Sequence, residues 1–291
     1  MQLADCHVGL DGLGLIGGSM AAALRKSGQA RSVLGWDLDP RNLSFAQREG
    51  LIDEAASSLD DLAKRSDLLV LSVPLGQVES EARKACSAAG DRLEAVMDVG
   101  SAKTFVAERL SSLFGPRYLG FHPMAGGEKG GVQNASPDLF RDAVCALVPT
   151  GGTSRDVLAL GGQLAAALGA EALVLDPVEH DRIAACTSHA PMLVALALCL
   201  AAEELLGTHP DLPLMAAGGF RDTTRPASNP PWLVADIWSQ NRDAVSSVLD
   251  RIVARLGDMK NRSPEEMGRL AEKAKASRET ILAQAPRRWK S

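Results

Sequence analysis

The chain holds 291 residues in 30.6 kDa, room for about two domains at roughly 150 residues each. Apolar residues make up 46% and charged residues 23%, so a sizeable core can form and a largely disordered chain is excluded. Thirty-one Lys and Arg against thirty-six Asp and Glu leave a net charge of −5, which provides no general field to recruit nucleic acid or an anionic membrane.

Short apolar runs alternate with helical stretches over the first 176 residues. Strands are expected at His7–Leu10, Ser32–Trp36, Leu68–Val73, Ala95–Asp98, Tyr118–Phe121, Ala143–Val148 and Ala172–Leu175. Helices are expected at Gly17–Ser27, Pro40–Glu49, Leu59–Arg65, Gln77–Ala89, Lys103–Phe114 and Ser154–Leu168. This order predicts an α/β fold, a doubly wound and mostly parallel sheet with crossover helices. The pattern changes at Asp176-Pro177-Val178-Glu179, an N-cap, a first-turn proline and a capping-box acid. Helices then come at Pro177–Leu206, Leu212–Gly218, Leu233–Leu256 and Pro264–Ala283, so the boundary is placed between 176 and 177. The first domain is 1–176, and an all-helical domain spans 177–291 with a frayed end at Arg287–Ser291.

The apolar run Ala190–Ala202 is 13 residues long and contains Pro191, against about 20 for a membrane span, and reads as a buried helix. The start, Met1-Gln2-Leu3-Ala4-Asp5, has neither the basic nor the apolar part of a signal peptide. Cys6, Cys86, Cys145, Cys186 and Cys199 are dispersed without a C-x-x-C pair. That fits a reducing cytoplasm and offers no metal framework.

Gly12-Leu13-Gly14-Leu15-Ile16-Gly17 comes after a predicted strand and opens a predicted helix. The next strand ends in Asp37, twenty residues beyond Gly17. This is the context of a dinucleotide-binding turn. Gly12 permits the tight turn, Gly14 lets backbone approach a pyrophosphate, and Gly17 lets helix and strand pack closely. Gly14, Leu15, Ile16 and Gly17 bring helix N–H groups to the anion. Asp37 accepts bonds from ribose hydroxyls and repels a 2′-phosphate, which favours NAD over NADP, while Arg41 nearby weakens the preference. Asp11 is an acid where an apolar residue is usual; it caps the turn or costs pyrophosphate binding.

Further motifs sit at other strand ends: Ser72-Val73-Pro74, Asp98-Val99-Gly100-Ser101-Ala102-Lys103 and His122-Pro123-Met124-Ala125-Gly126-Gly127-Glu128-Lys129. The helical half carries Ser188-His189-Ala190-Pro191 and Gly218-Gly219-Phe220-Arg221-Asp222-Thr223-Thr224-Arg225. Together, and in this order, they resemble the prephenate/arogenate dehydrogenase family of tyrosine biosynthesis. The resemblance implies a dinucleotide domain followed by a helical domain that forms a homodimer. It implies NAD-dependent oxidative decarboxylation of prephenate to 4-hydroxyphenylpyruvate, with arogenate as alternative or additional substrate. The rival readings are another two-domain dehydrogenase, such as a hydroxyacid or imine reductase, which would share the glycine fingerprint and helical domain but lack the His122 and Arg225 motifs, and a non-catalytic NAD sensor.

By the same resemblance, His122 is the catalytic base on the ring hydroxyl, and Ser101 orients it. Arg225 binds the side-chain carboxylate, Glu128 belongs to an ionic latch, and Ser72, Val73 and Pro74 line the cofactor. Ser188 is a candidate for substrate contact and His189 for contact with substrate or nicotinamide, with Pro191 able to kink the helix and open both toward a pocket. A satisfied core histidine is the competing reading for His189. Arg221 competes with Arg225 across one helix face, or pairs with Asp222. His180, in the first turn of its helix, is a capping or surface group. Lys103 is a helix-start residue rather than a base. Met192 stands where many members carry a second histidine, and a thioether cannot donate to a carboxylate.

Overall fold

The computed structural model describes residues 1–127 and 129–286. Eight strands form one sheet: β1 (His7–Asp11), β2 (Ser32–Trp36), β3 (Glu54–Ala55), β4 (Leu68–Leu71), β5 (Ala95–Asp98), β6 (Tyr118–Pro123), β7 (Val144–Val148) and β8 (Glu171–Val174). Their spatial order is β3-β2-β1-β4-β5-β6-β7-β8, with every pair parallel except β6 and β7. The order reverses between β1 and β4, which is where open α/β sheets bind ligands at the strands' carboxyl ends.

Six helices cover the faces: α1 (Leu15–Ser27), α2 (Pro40–Arg48), α3 (Leu59–Arg65), α4 (Val78–Ala89), α5 (Thr104–Phe114) and α6 (Arg155–Ala167). Strand alternation sends Val8 and Leu10 to one core with Met20, Leu24, Leu160 and Leu164. Leu69 and Leu71 enter the other core with Leu62, Val78, Ala82, Val106 and Leu110. Several helix starts are written locally. Asp39 caps α2 through Arg41 N, Ser58 caps α3 through Asp61 N, and Ser154 caps α6 through Val157 N.

The remaining helices are α7 (Pro177–Ala184), α8 (Ala190–Leu206), α9 (Leu212–Met215), α10 (Gly218–Thr224), α11 (Pro231–Gln240), α12 (Arg242–Met259) and α13 (Pro264–Ala283). Asp176 Oδ1 accepts from Val178 N and Glu179 N, both at 3.0 Å, so the cap expected there is formed. A wide π-turn, Ala185–His189, joins α7 to α8. The Pro191 ring would clash with the carbonyl of Thr187 in regular helix, and the widened turn relieves that clash.

Four expectations change. β3 is only two residues long and has no apolar run to announce it. Gly218–Thr224 is a helix rather than a connection, although two glycines, two threonines and an aspartate make it a weak helix former by propensity. The helix expected over Leu233–Leu256 is two, broken at Asn241, whose φ of −130° is not helical. Finally, Pro177–Leu206 is long and apolar enough for a membrane span by length and composition, yet only 33% of its apolar window is buried. The buried-helix reading of Ala190–Ala202 is therefore corrected: Leu198 and Leu200 within it lie exposed, as do Leu205 and Leu206 just beyond it.

The chain divides into two compact units, Met1–His180 with the stretch from Arg262 onward, and Asp181–Asn261. The division falls four residues after the expected boundary, and α13 groups with the first unit. A cap motif marks where a helix begins, whereas a domain limit is set by packing, and the first turn of α7 packs with the sheet unit. The frayed end expected at Arg287–Ser291 lies outside the described residues.

Candidate active site

In the sheet unit, the carboxyl ends of β1 and β4 meet at the glycine turn. Gly12 has φ +90°, and a Cβ there would lie 2.5 Å from the Ser72 carbonyl oxygen. A Cβ on Gly17 would lie 1.9 Å from the Gly12 carbonyl oxygen, so neither position accepts a side chain without moving backbone. Gly14, by contrast, has open space where a Cβ would be. It is also the N-cap of α1 and supplies no side-chain cap, so the helix N-terminus is left for an anion. Ser72 Oγ is buried without a hydrogen-bond partner on the β4 side of this turn. Val73 and Pro74 come next, half-buried.

Asp37 ties the turn to β2. Its Oδ2 accepts from Leu13 N at 2.7 Å, and its Oδ1 accepts from Asp39 N at 2.8 Å and Asn42 Nδ2 at 3.3 Å. A carboxylate has about four acceptor positions, so Oδ2 retains capacity for a ribose hydroxyl. Arg41 is engaged by Asp39 through Nε at 3.0 Å and Nη2 at 2.7 Å. This pairing holds the Asp39 carboxyl below its ordinary range. The guanidinium that would weaken discrimination against a 2′-phosphate thus already has an anionic partner. These features together suit a dinucleotide.

Asp11 is 3% exposed, and its Oδ2 makes no hydrogen bond. Burial, then the charges of Glu81 and Asp37, push its carboxyl up to about 7, with Lys84 opposing. Much of its charge is therefore gone near neutrality, which lessens the repulsion toward pyrophosphate expected from its position. The folded value lies above the unfolded one of 3.8, so the wild type loses stability as pH rises from about 4 through 7. Asp11→Asn escapes that loss. The variant is expected to gain on the wild type across this window and then plateau, by up to about 4 kcal/mol. Urea unfolding at pH 5, 7 and 8.5 checks it; a pH-independent difference contradicts the assignment.

Next along the sheet, Asp98 ends β5 and is completely buried with Lys103. Lys103 Nζ lies 2.5 Å from Asp98 Oδ1 and 2.9 Å from the Asp98 carbonyl oxygen. Tyr118 OH donates to Asp98 Oδ2 at 2.7 Å, and Gly100 N donates to Oδ1 at 3.0 Å. Lys103 is the residue that precedes α5, as expected, but its ammonium belongs to a buried network rather than to a helix end. Its stem runs beside Gly120 of β6, where a Cβ would come within 3.1 Å of Lys103 Cδ. The segment bearing half-buried Ser101 is thereby held against the strand that bears His122.

His122 is 9% exposed near the end of β6. Its Nδ1 lies 2.8 Å from Nε2 of His180, and the rings meet edge-on with centroids 5.1 Å apart. His180 is 2% exposed, so its reading as a capping or surface group is corrected. The capping is done by Asp176, one turn earlier. Nothing local in the sequence points to this partner, 58 residues away. Glu128 lies outside the described residues.

In the helical unit, Ser188 is exposed and His189 is fully buried on the π-turn. Asn241, at the break between α11 and α12, bonds the Asp181 carbonyl at 2.9 Å and His189 Nδ1 at 3.1 Å through the same Nδ2. A carbonyl only accepts, so the amide nitrogen faces it, and its second hydrogen goes to His189 Nδ1. His189 then carries its own hydrogen on Nε2. Met192 is buried at 4% exposure. Arg225 is exposed just beyond α10, and Arg221 donates through Nε to Asp222 at 3.0 Å.

Two family models cover most of the chain, "Prephenate dehydrogenase, nucleotide-binding domain" over residues 20–174 and "Prephenate dehydrogenase, dimerization domain" over 176–274. A prephenate dehydrogenase of Bacillus subtilis is 32% identical over 83% of this chain, which spans 65% of that protein's own length. A cyclohexadienyl dehydrogenase of Zymomonas mobilis is 29% identical over 95% of both chains. Among solved structures, a prephenate dehydrogenase of A. aeolicus in complex with hydroxyphenyl propionate and NAD+ superposes with a TM-score of 0.88. It is 30% identical, and the match covers 97% of this chain and 98% of that one. With both halves matched in order on a sheet and helices of the same build, the chain belongs to the prephenate dehydrogenase family.

Proposed function

We propose that this chain is an NAD-dependent prephenate dehydrogenase that converts prephenate to 4-hydroxyphenylpyruvate and CO2. The observation that carries the reading is the buried imidazole of His122 at the ligand-binding edge of the sheet, with Nδ1 engaged by His180 so that Nε2 is the nitrogen to meet a substrate hydroxyl. Gly12, Gly14, Leu15, Ile16, Gly17, Asp37, Ser72, Val73 and Pro74 would hold the dinucleotide. Bound NAD supplies the hydride acceptor. His122 takes the hydroxyl proton as carbonyl character develops on the ring carbon. Ser101 orients that hydroxyl, and the Asp98–Lys103 pair holds Ser101 in place. Lys103 has no lone pair while its ammonium bonds Asp98, so it is not the base.

Arg225 would grip the substrate's side-chain carboxylate, with Ser188, His189 and Glu128 as further contacts. A guanidinium–carboxylate pair contributes about 1.5–3 kcal/mol. Arg225→Ala is therefore expected to raise the KM for prephenate roughly 10–100-fold with a smaller change in kcat. Initial-rate kinetics decide, and an unchanged KM moves the role to Arg221. Arogenate is the second reading, favoured by the likeness to a cyclohexadienyl dehydrogenase. Met192 bears on it, since it cannot make the hydrogen bond of a second histidine.

We further infer a homodimer formed through the helical domain. The exposed leucines of α8 and the dimerization-domain match support this. The enzyme is placed in the cytoplasm, where Cys6, Cys86, Cys145, Cys186 and Cys199 stay reduced as free thiols. The test is direct. Purified protein with NAD and prephenate should generate reduced cofactor, read by its absorbance. No signal with either prephenate or arogenate overturns the assignment.

A further inference from the structure

We propose that His180 is a positioning residue for His122, fixing the tautomer in which Nε2 can accept a proton; this rests on the dehydrogenase reading above. The two rings come from separate elements, yet both are held. The His122 backbone pairs with Ala146 across the antiparallel β6–β7 ladder. The start of α7 is anchored by its Asp176 cap and by Thr104 Oγ1, which donates to the Pro177 carbonyl at 3.1 Å. Thr104 opens α5, the helix that the Asp98–Lys103 pair secures.

A nitrogen–nitrogen contact of 2.8 Å between imidazoles contains one hydrogen, so one ring donates and the other accepts. If His122 is to take a substrate proton on Nε2, that nitrogen must carry the lone pair. Its neutral hydrogen then sits on Nδ1 and is donated to the lone pair of His180 Nε2. His180 in turn keeps its hydrogen on its own Nδ1. When the hydroxyl O–H bond breaks, the proton goes to His122 Nε2 and the electron pair stays on oxygen to form the carbonyl as hydride leaves for NAD. His122 becomes a cation whose Nδ1–H still meets an acceptor, and that bond strengthens with the charge. A carboxylate does this for the imidazole in a serine-protease triad; here a second imidazole does it without adding a negative charge beside an anionic substrate.

Two variants separate positioning from packing. His180→Gln places an amide oxygen where Nε2 stood and keeps an acceptor for Nδ1–H. His180→Leu fills the volume and removes the acceptor. The expected result is a loss in kcat of about 10²-fold for Leu, with the KM for prephenate within about twofold, and recovery to within about tenfold of wild type for Gln. Nitrogen-15 NMR of histidine-labelled protein at pH 8 supplies a readout that needs no turnover. The His122 ring of the wild type should carry its hydrogen on Nδ1, a signal that vanishes in His122→Asn, persists in His180→Gln and reverts to Nε2–H in His180→Leu. Equal rates for Gln and Leu, or a wild-type His122 carrying its hydrogen on Nε2, overturns the proposal. An Nδ1–H ring behaving as expected in a protein that turns over neither prephenate nor arogenate upholds the pair and removes the substrate assignment instead.

Discussion

Replacing His122 by Asn is expected to lower kcat by about 10³-fold, near 4 kcal/mol of transition-state stabilisation, while NAD binding stays within about twofold. An amide in this position can still bond His180, and β6 keeps its ladder to β7, so the fold has no reason to fail. What disappears is a ring nitrogen able to take a proton, since an amide is neither a useful acid nor a useful base. The loss belongs in kcat because the proton moves only as the hydride departs. Steady-state turnover with saturating prephenate and NAD measures one half of the claim, and calorimetric titration of NAD into the variant measures the other. A rate within tenfold of wild type requires another base. Among the described residues at this edge of the sheet, Lys103 is held as a cation by Asp98 and Ser101 is too weak an acid–base group to replace an imidazole, which leaves His180, 2.8 Å from His122 in the wild type, as the base to test next.

The prediction rests on features of unequal visibility. The sheet and its helices were legible because β1, β2, β4 and β5 are largely buried apolar runs, and because Asp39, Ser58, Ser154 and Asp176 write their caps within three residues. The glycine turn was legible because steric demands at Gly12 and Gly17 admit no other residue. His122 stood out by its place at a strand end. Its partner did not, because a contact across 58 residues leaves no local pattern, and His180 sits in a first helical turn like any surface histidine. Asn241 was hidden for a related reason: a single polar residue inside a helical stretch looks like an exposed position, whereas here it breaks the helix and orients His189. Asp11 shows the reverse case, an oddity visible in sequence whose consequence depended on burial.

The second large effect is expected at Lys103. Replacing it by Met keeps most of the stem that lies beside Gly120 but leaves the Asp98 carboxylate buried with Tyr118 OH and Gly100 N as its remaining side-chain and backbone donors. Removing one member of a buried ion pair costs about 3–5 kcal/mol, because the surviving charge has neither water nor a counter-ion. Lys103→Met should therefore lose that much in urea unfolding at pH 7, and kcat should fall as well, since Ser101 rides on the same segment. The double variant Asp98→Asn with Lys103→Met separates charge from packing. An amide oxygen at position 98 can still accept a hydrogen bond without carrying charge, so the double variant is expected to recover at least half of the lost stability. If Lys103→Met costs under about 1 kcal/mol, the pair is not what holds the segment. If the double variant is no better than the single one, the loss comes from disturbed packing around β5 and β6 rather than from a stranded carboxylate.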